Sequence, residues 1–300
     1  MKIYENIDIS KLSNWKVGGI CRYFIIANDI AELHDAIGIA KKESLNYLVV
    51  GKTTNLLFCD DELEGVVIAL GKNFGKMTIS GDSLYAGASC YVPNLVRTAI
   101  NHKLSGLEHL IGVPASLGGA VYMNAGSQRK SISDCIEYVD VWNATKGCYS
   151  LDVEQCDFGY RSSIFQSKKS LLIIGVKLNL EFSLTHEMRS DCLSILRLRN
   201  KKFPRKLPSC GSVFKSSPEL YNQLGPPGAV IESLGLKGIS RGGAQISPLH
   251  ANFIVNNGGA TAKDILYLVS LIREKSKSVN GIDLIPEFSY VTERCEILQL

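Results

Sequence analysis

Phe158-Gly-Tyr160-Arg161-Ser162-Ser163, Pro208-Ser-Cys-Gly211-Ser212-Val-Phe-Lys215 and Ile285-Pro286-Glu287-Phe288 each set a reactive side chain in a shaped segment. Arg161 can clamp a carboxylate through paired N–H donors. Ser212, behind a glycine at the expected start of a strand, can donate a proton. Glu287, fixed by the proline before it, can stabilise or protonate a developing enol. Taken singly, each reads more simply as structural: a surface arginine, a turn serine, a carboxylate in an ion pair. Nothing in their spacing brings them together. A serine-hydrolase reading of Ser212 is disfavoured. His34, His102, His109, His186 and His250 are available, but no G-x-S-x-G elbow surrounds the serine.

A ligand-holding segment stands beside these candidates. Gly112-Val-Pro-Ala-Ser-Leu-Gly-Gly-Ala-Val-Tyr-Met-Asn-Ala-Gly126 packs four glycines, three alanines and a proline into one run without a formal charge. Glycine lets a ligand press on the main chain, and successive backbone N–H groups can converge on an anion. A run this long suits an extended ligand such as a dinucleotide; a set of tight turns in a β-rich domain explains it equally well. The usual fingerprints are absent. No G-x-G-x-x-G joins a strand to a helix, and Gly51-Lys-Thr-Thr54 resembles a phosphate loop without its upstream glycine.

Composition narrows the class. The 300 residues suggest two domains, or one with appended lobes, and 45% apolar with 21% charged residues is ordinary for a globular enzyme. The net charge of +4 is spread along the chain and clusters only at Arg197–Lys206. Without aromatic interleaving, that patch argues against nucleic acid. It fits a small anionic ligand or a solvated helix end. The nine cysteines are scattered and lack metal-ligand spacing, so reduced thiols and no metal site are expected. No N-terminal apolar region and no run approaching ~20 apolar residues appears, which points to the cytoplasm and away from a membrane.

The elements that must position the candidates are legible from periodicity. A helix is expected over residues 30–44 behind Asn28-Asp29, a strand over 47–50 running into the turn 51–55, and a strand over 66–70. A hairpin over 77–88, a helix over 95–104 and strands over 137–142 and 171–182 follow. A charged helix over 185–203, with Met188, Cys192, Ile195 and Leu196 on one side, would bridge to a C-terminal domain. There Thr261 and Asp264 have capping-box spacing ahead of the stripe Ile265, Leu268, Val269 and Ile272.

Several of these blocks, in this order, resemble the UDP-N-acetylenolpyruvoylglucosamine reductase (MurB) family. They are Asn14-Trp-Lys-Val-Gly-Gly19, Gly51–Asn55, Gly106–Gly126, Tyr160–Ser163, Pro208–Lys215, Ile231–Gly238, Gly243–Asn256 and Pro286-Glu287. They span nearly the whole chain, at the length of the shorter subclass. The resemblance implies an α+β fold: an FAD-binding PCMH-type (vanillyl-alcohol-oxidase-like) unit of two subdomains and a C-terminal α+β substrate domain. The expected boundaries are 1–183, divided into about 1–72 and 73–183, and 184–300.

It further implies non-covalent FAD, NADPH as hydride donor, and reduction of UDP-N-acetylglucosamine enolpyruvate in peptidoglycan precursor synthesis. By carry-over, Arg161, Ser212 and Glu287 form the catalytic trio. Gly51, Lys52, Thr53, Thr54, Asn55, Gly112, Pro114, Ala115, Ser116, Gly118, Gly119, Asn124, Ala125, Gly126 and Ile174 would bind the cofactor. Tyr160, Lys201, Lys215, His250 and Asn252 would meet the nucleotide-sugar substrate; a monomer is expected. Three departures stand out: Thr53 and Ala115 replace usual glycines, and Ala229 a frequent lysine. They leave open a divergent paralogue acting on another nucleotide sugar, or a silent flavin-binding protein.

Overall fold

The computed structural model describes residues 1–300 apart from the side chain of Glu219. The first unit is a four-stranded sheet in the order β1-β2-β5-β3, built from β1 (Lys2–Asp8), β2 (Ile20–Ala27), β3 (Asn46–Val50) and β5 (Leu63–Leu70). Strands β2 and β3 run parallel to the central β5, while β1 is an antiparallel edge. Strand β5 reads Leu-Glu-Gly-Val-Val-Ile-Ala-Leu because both its faces are covered. Val66 and Ile68 pack with helix α1 (Ile30–Lys42), and Leu63 and Val67 pack with the opposite cluster. Asp29 starts α1 by accepting from the Glu32 amide at 2.9 Å.

The second unit is a five-stranded antiparallel sheet. Strands Gly147–Asp152, Ile136–Asn143 and Leu172–Asn179 are followed by β7 (Ser83–Gly87) and β6 (Met77–Ser80). Its core takes Leu95, Val96 and Ala99 from α2 (Val92–Asn101) and Leu117, Ala120 and Val121 from α3 (Leu117–Tyr122). The Thr185–Lys202 helix lies on this unit too, burying Met188 and Cys192 in the same core. By packing, the third unit therefore begins near Phe203.

That third unit pairs a small antiparallel sheet, Ser240–Arg241, Ala244–Ile246 and Ile254–Asn256, with the Ala262–Asn280 helix. Thr261 and Asp264 form the capping box at its start, and Gly281 ends it at φ 70°. Asp60 of the first unit reaches across and accepts from the Ala262 and Lys263 amides at 2.6 and 3.1 Å. The chain then returns. Ser289–Val291 runs parallel to β4 (Leu56–Phe58), Ile297–Gln299 pairs beside it, and Val291 and Cys295 are buried in the first unit's core. Val291, Cys295 and Ile297 thus pack with the N-terminal unit although they follow the C-terminal one. Among the described residues, no helix is long and apolar enough to cross a membrane and no His/Cys/Asp/Glu cluster could hold a metal ion.

Candidate active site

A cavity of about 1340 Å³ runs between the three units and is lined by both glycine-bearing loops. All five residues of the turn Gly51–Asn55 face it, as do Gly112, Pro114, Ala115, Ser116, Gly118, Gly119, Ala125 and Gly126. The two loops touch: a Cβ on Gly51 would sit 2.0 Å from the Ser116 hydroxyl, which itself caps the Gly119 amide. Glycine at 51 is therefore what lets the turn lie on the start of α3.

The turn has the groups to receive an anion. Among the described residues, the amides of Lys52, Thr53, Thr54 and Asn55 have no acceptor, and Lys52 adds a positive charge at the same wall. A second cation awaits a partner. Arg199, on the Thr185–Lys202 helix, lines the cavity against Gly112, and its Nε is buried without a hydrogen bond. Burial, with Arg205 nearby, lowers its pKa, so an anionic ligand would offset an existing cost. A cavity of this volume, with free amides at one turn and a guanidinium lacking a hydrogen bond beside another loop, fits a dinucleotide such as FAD.

In the sequence Arg199 stands out only as one member of the basic cluster 197–206, yet a sharper signal was present. Met188, Cys192, Ile195 and position 199 follow one another at four-, three- and four-residue steps, so the guanidinium sits on the buried stripe of the helix. A cation in an apolar stripe is a recognisable anomaly. Its Cζ lies 4.9 Å from the Phe203 ring, which stacks on Phe253 at 5.0 Å.

On the same cavity the three reactive segments meet. Arg161 sits at φ 55° in a tight turn in which Gly159 and Ser162 exchange backbone hydrogen bonds. Its Nε donates to Glu287 Oε1 at 2.8 Å, Nη2 to the Gly126 carbonyl at 3.0 Å, and Nη1 to the Asn124 carbonyl at 3.4 Å. Glu287 is anchored by its main chain, its amide donating to Val213 and its carbonyl accepting from Asn55 Nδ2 at 3.0 Å. Burial pushes the Glu287 carboxyl above the usual carboxylate range, against the opposing pull of Arg161 and Lys215.

Ser212 lines the same cavity, but not at a strand start. The expected strand is replaced by an irregular loop with Gly211 at φ 78°. The Asn252 side chain does the work of a strand partner, accepting from the Phe214 amide and donating to its carbonyl, both at 2.9 Å. Val213 donates to the Asn252 carbonyl, and Phe214 bridges to Pro286. One asparagine thus sets Ser212 against the Glu287 segment.

Tyr160 and Asn252 also line the cavity; five other residues named from the sequence do not. Lys201 is exposed on the solvent side of its helix. Lys215 reaches Glu287 only through its charge. His250 lies behind the wall, packed 5.2 Å from Phe203 and 5.1 Å from Phe253. Ile174 points away, while its neighbour Ile173 lines the wall, as strand alternation demands. Asn124 is buried and shapes the Arg161 turn, its Nδ2 donating to Gly159 at 2.9 Å.

Comparison with known proteins gives this architecture a family. Residues 203–291 match the model of the UDP-N-acetylenolpyruvoylglucosamine reductase C-terminal domain, and residues 21–148 match an FAD binding domain. The chain is 37% identical to UDP-N-acetylenolpyruvoylglucosamine reductase 1 of Corynebacterium glutamicum, over 95% of its own length and 85% of the relative's. It belongs to the UDP-N-acetylenolpyruvoylglucosamine reductase family. The Heliobacterium modesticaldum reductase is also 37% identical, over 92% and 86% of the two chains. The crystal structure of the Thermus caldophilus reductase superposes with a TM-score of 0.82 at 31% identity, covering 96% of this chain and 98% of that one. The two N-terminal units accordingly carry the FAD-binding domain, and the chain is an FAD-dependent oxidoreductase.

Proposed function

We propose that Arg161, Glu287 and Ser212 carry the charge-stabilising and proton-donating half of an enolpyruvyl reduction. The turn Gly51–Asn55, the loop around Gly112 and Arg199 would hold FAD alongside them. The overall reaction of the family is reduction of UDP-N-acetylglucosamine enolpyruvate to UDP-N-acetylmuramate with NADPH, in peptidoglycan precursor synthesis. When bound, FAD supplies hydride transfer from NADPH to the terminal vinyl carbon of the substrate.

As hydride reaches that carbon, negative charge moves onto the substrate carboxylate. A guanidinium has five N–H donors, and Arg161 spends three on Glu287, Asn124 and Gly126. Two remain for the carboxylate, in an orientation the protein has already fixed. Glu287 assists in its neutral form, to which burial biases it; a bare carboxylate would repel the developing charge. Ser212 Oγ then gives its proton to the α-carbon, completing addition of a hydride and a proton across the double bond.

Tyr160 and Asn252, at the same wall, are the proposed substrate contacts. Domain 203–288 would close over the nucleotide sugar. The protein is proposed to act as a cytoplasmic monomer, where its nine unpaired cysteines stay reduced, with neither nucleic acid nor membrane as partner.

The observation that carries the reading is the Arg161–Glu287 pair, closed between distant segments on the cavity that Ser212 also lines. Its test is NADPH oxidation by the FAD-loaded protein, which should require the enolpyruvyl nucleotide sugar. A rate the sugar does not raise would overturn it.

A further inference from the structure

Thr53 holds a backbone conformation that its side chain disfavours. Among the described residues, eleven non-glycine residues have positive φ, and Thr53, at 54°, is the sole β-branched one. Glycine would adopt this angle freely. What threonine adds is a hydroxyl, and the hydroxyl is used. It accepts from the Asn14 amide at 3.0 Å and lies within donating reach of the Leu12 and Lys52 carbonyls, at 3.3 and 2.8 Å. The residue is buried, so these groups have no ready water to replace it.

The segment fixed in this way leads to both catalytic loops. Asn14 Nδ2 donates to the Ser209 carbonyl, three residues before Ser212. Trp15 is fully buried, with Nε1 donating to Ile254 at 2.8 Å and its ring edge-on to Phe288 at 5.1 Å, next to Glu287. The turn itself makes two more links, Cys210 Sγ to the Thr53 carbonyl at 3.5 Å and Asn55 Nδ2 to Glu287. The same four residues, Lys52 to Asn55, line the cavity and have amides without an acceptor.

We infer that Thr53 is a positioning residue: its hydroxyl ties the anion-binding turn to the Leu12–Trp15 segment, and so holds the Ser212 loop in register with whatever occupies that turn. Through this tether an occupied turn and an aligned proton donor become one mechanical unit. The kinetic side of the inference rests on the proton-donor role proposed for Ser212; the structural side does not.

The test compares FAD-loaded Thr53→Val, Thr53→Ser and Thr53→Gly with the unaltered protein. Flavin reduction by NADPH, flavin reoxidation by the enolpyruvyl substrate, and amide hydrogen exchange over 208–213 are measured for each. Valine keeps the shape and loses the hydroxyl. At saturating FAD it should slow reoxidation about tenfold more than it slows reduction by NADPH, and quicken exchange about tenfold, as one lost buried hydrogen bond implies. Serine should recover most of both effects. Glycine, which frees the backbone but brings no hydroxyl, should behave as valine does. Exchange at the unaltered rate in Thr53→Val, or full function in Thr53→Gly, overturns the tether. If exchange quickens in Thr53→Val while Ser212→Ala still reoxidises normally, the tether stands and the proton-donor role falls.

Discussion

Arg161 Nε donates to Glu287 Oε1 across 2.8 Å, and the remaining guanidinium nitrogens are moored to the Gly126 and Asn124 carbonyls. The glycine-rich loop that borders the cavity therefore also aims the cation proposed to meet the substrate carboxylate. Arg161 stands at φ 55°, a strained angle that these bonds stabilise.

Ser212→Ala should separate the two half-reactions. Flavin reduction by NADPH needs no proton from this serine and should keep its rate. Reoxidation by the enolpyruvyl substrate should slow by roughly 10²- to 10⁴-fold, the usual worth of a positioned proton donor. Stopped-flow absorbance of the flavin follows both steps, and equal losses in the two would contradict the assignment.

Glu287 should write its raised pKa into the pH dependence of stability. The folded carboxyl takes up a proton more readily than the unfolded one, because burial outweighs the attraction of Arg161 and Lys215. The native state thus binds more protons in the window from the ordinary carboxylate range up to the raised value, and stability falls as pH rises through it. Glu287→Gln should flatten that fall in a series of thermal melts across the window. It should also remove the matching loss of turnover on the alkaline side. An unchanged slope would mean the carboxyl titrates as an exposed one does.

Arg199→Gln should fold, since the Nε it alters has no partner to lose. Its FAD affinity, read by quenching of flavin fluorescence, should fall by about 10-fold or more, as for a lost charge-assisted bond. Unchanged FAD binding with weakened substrate binding would instead place this guanidinium on the nucleotide sugar.

Gly51→Ala should push the turn off α3, because the new Cβ meets the Ser116 hydroxyl at 2.0 Å. The cost should be about 1 kcal/mol, that of a disturbed helix cap, with a parallel loss of FAD. Adding Ser116→Ala should restore most of the FAD affinity; if the double variant is as weak as the single one, the contact is not the cause.

Local pattern was enough to locate β3, the hairpin of β6 and β7, the Thr185–Lys202 helix and the capped helix at Ala262, because periodicity and caps act between near neighbours. Motif resemblance carried the family, the cofactor and the trio Arg161, Ser212 and Glu287 as candidates. Period alone could not reveal that Ser212 lies in a loop, since Asn252 supplies the ladder partner of neighbouring Phe214 from 38 positions away. Nor could it show that the chain's end crosses back to pair with β4, or that Ile173 and not Ile174 faces the cavity.

The order of residues therefore settled which groups are present, which helices and strands form, and what kind of chemistry they serve. Assembly decided the rest. Only through tertiary contact do Arg161 and Glu287 pair, Arg199 lose its water, and Thr53 find Asn14. Those effects arise from desolvation and through-space contact between segments far apart along the chain, and no local spacing encodes them.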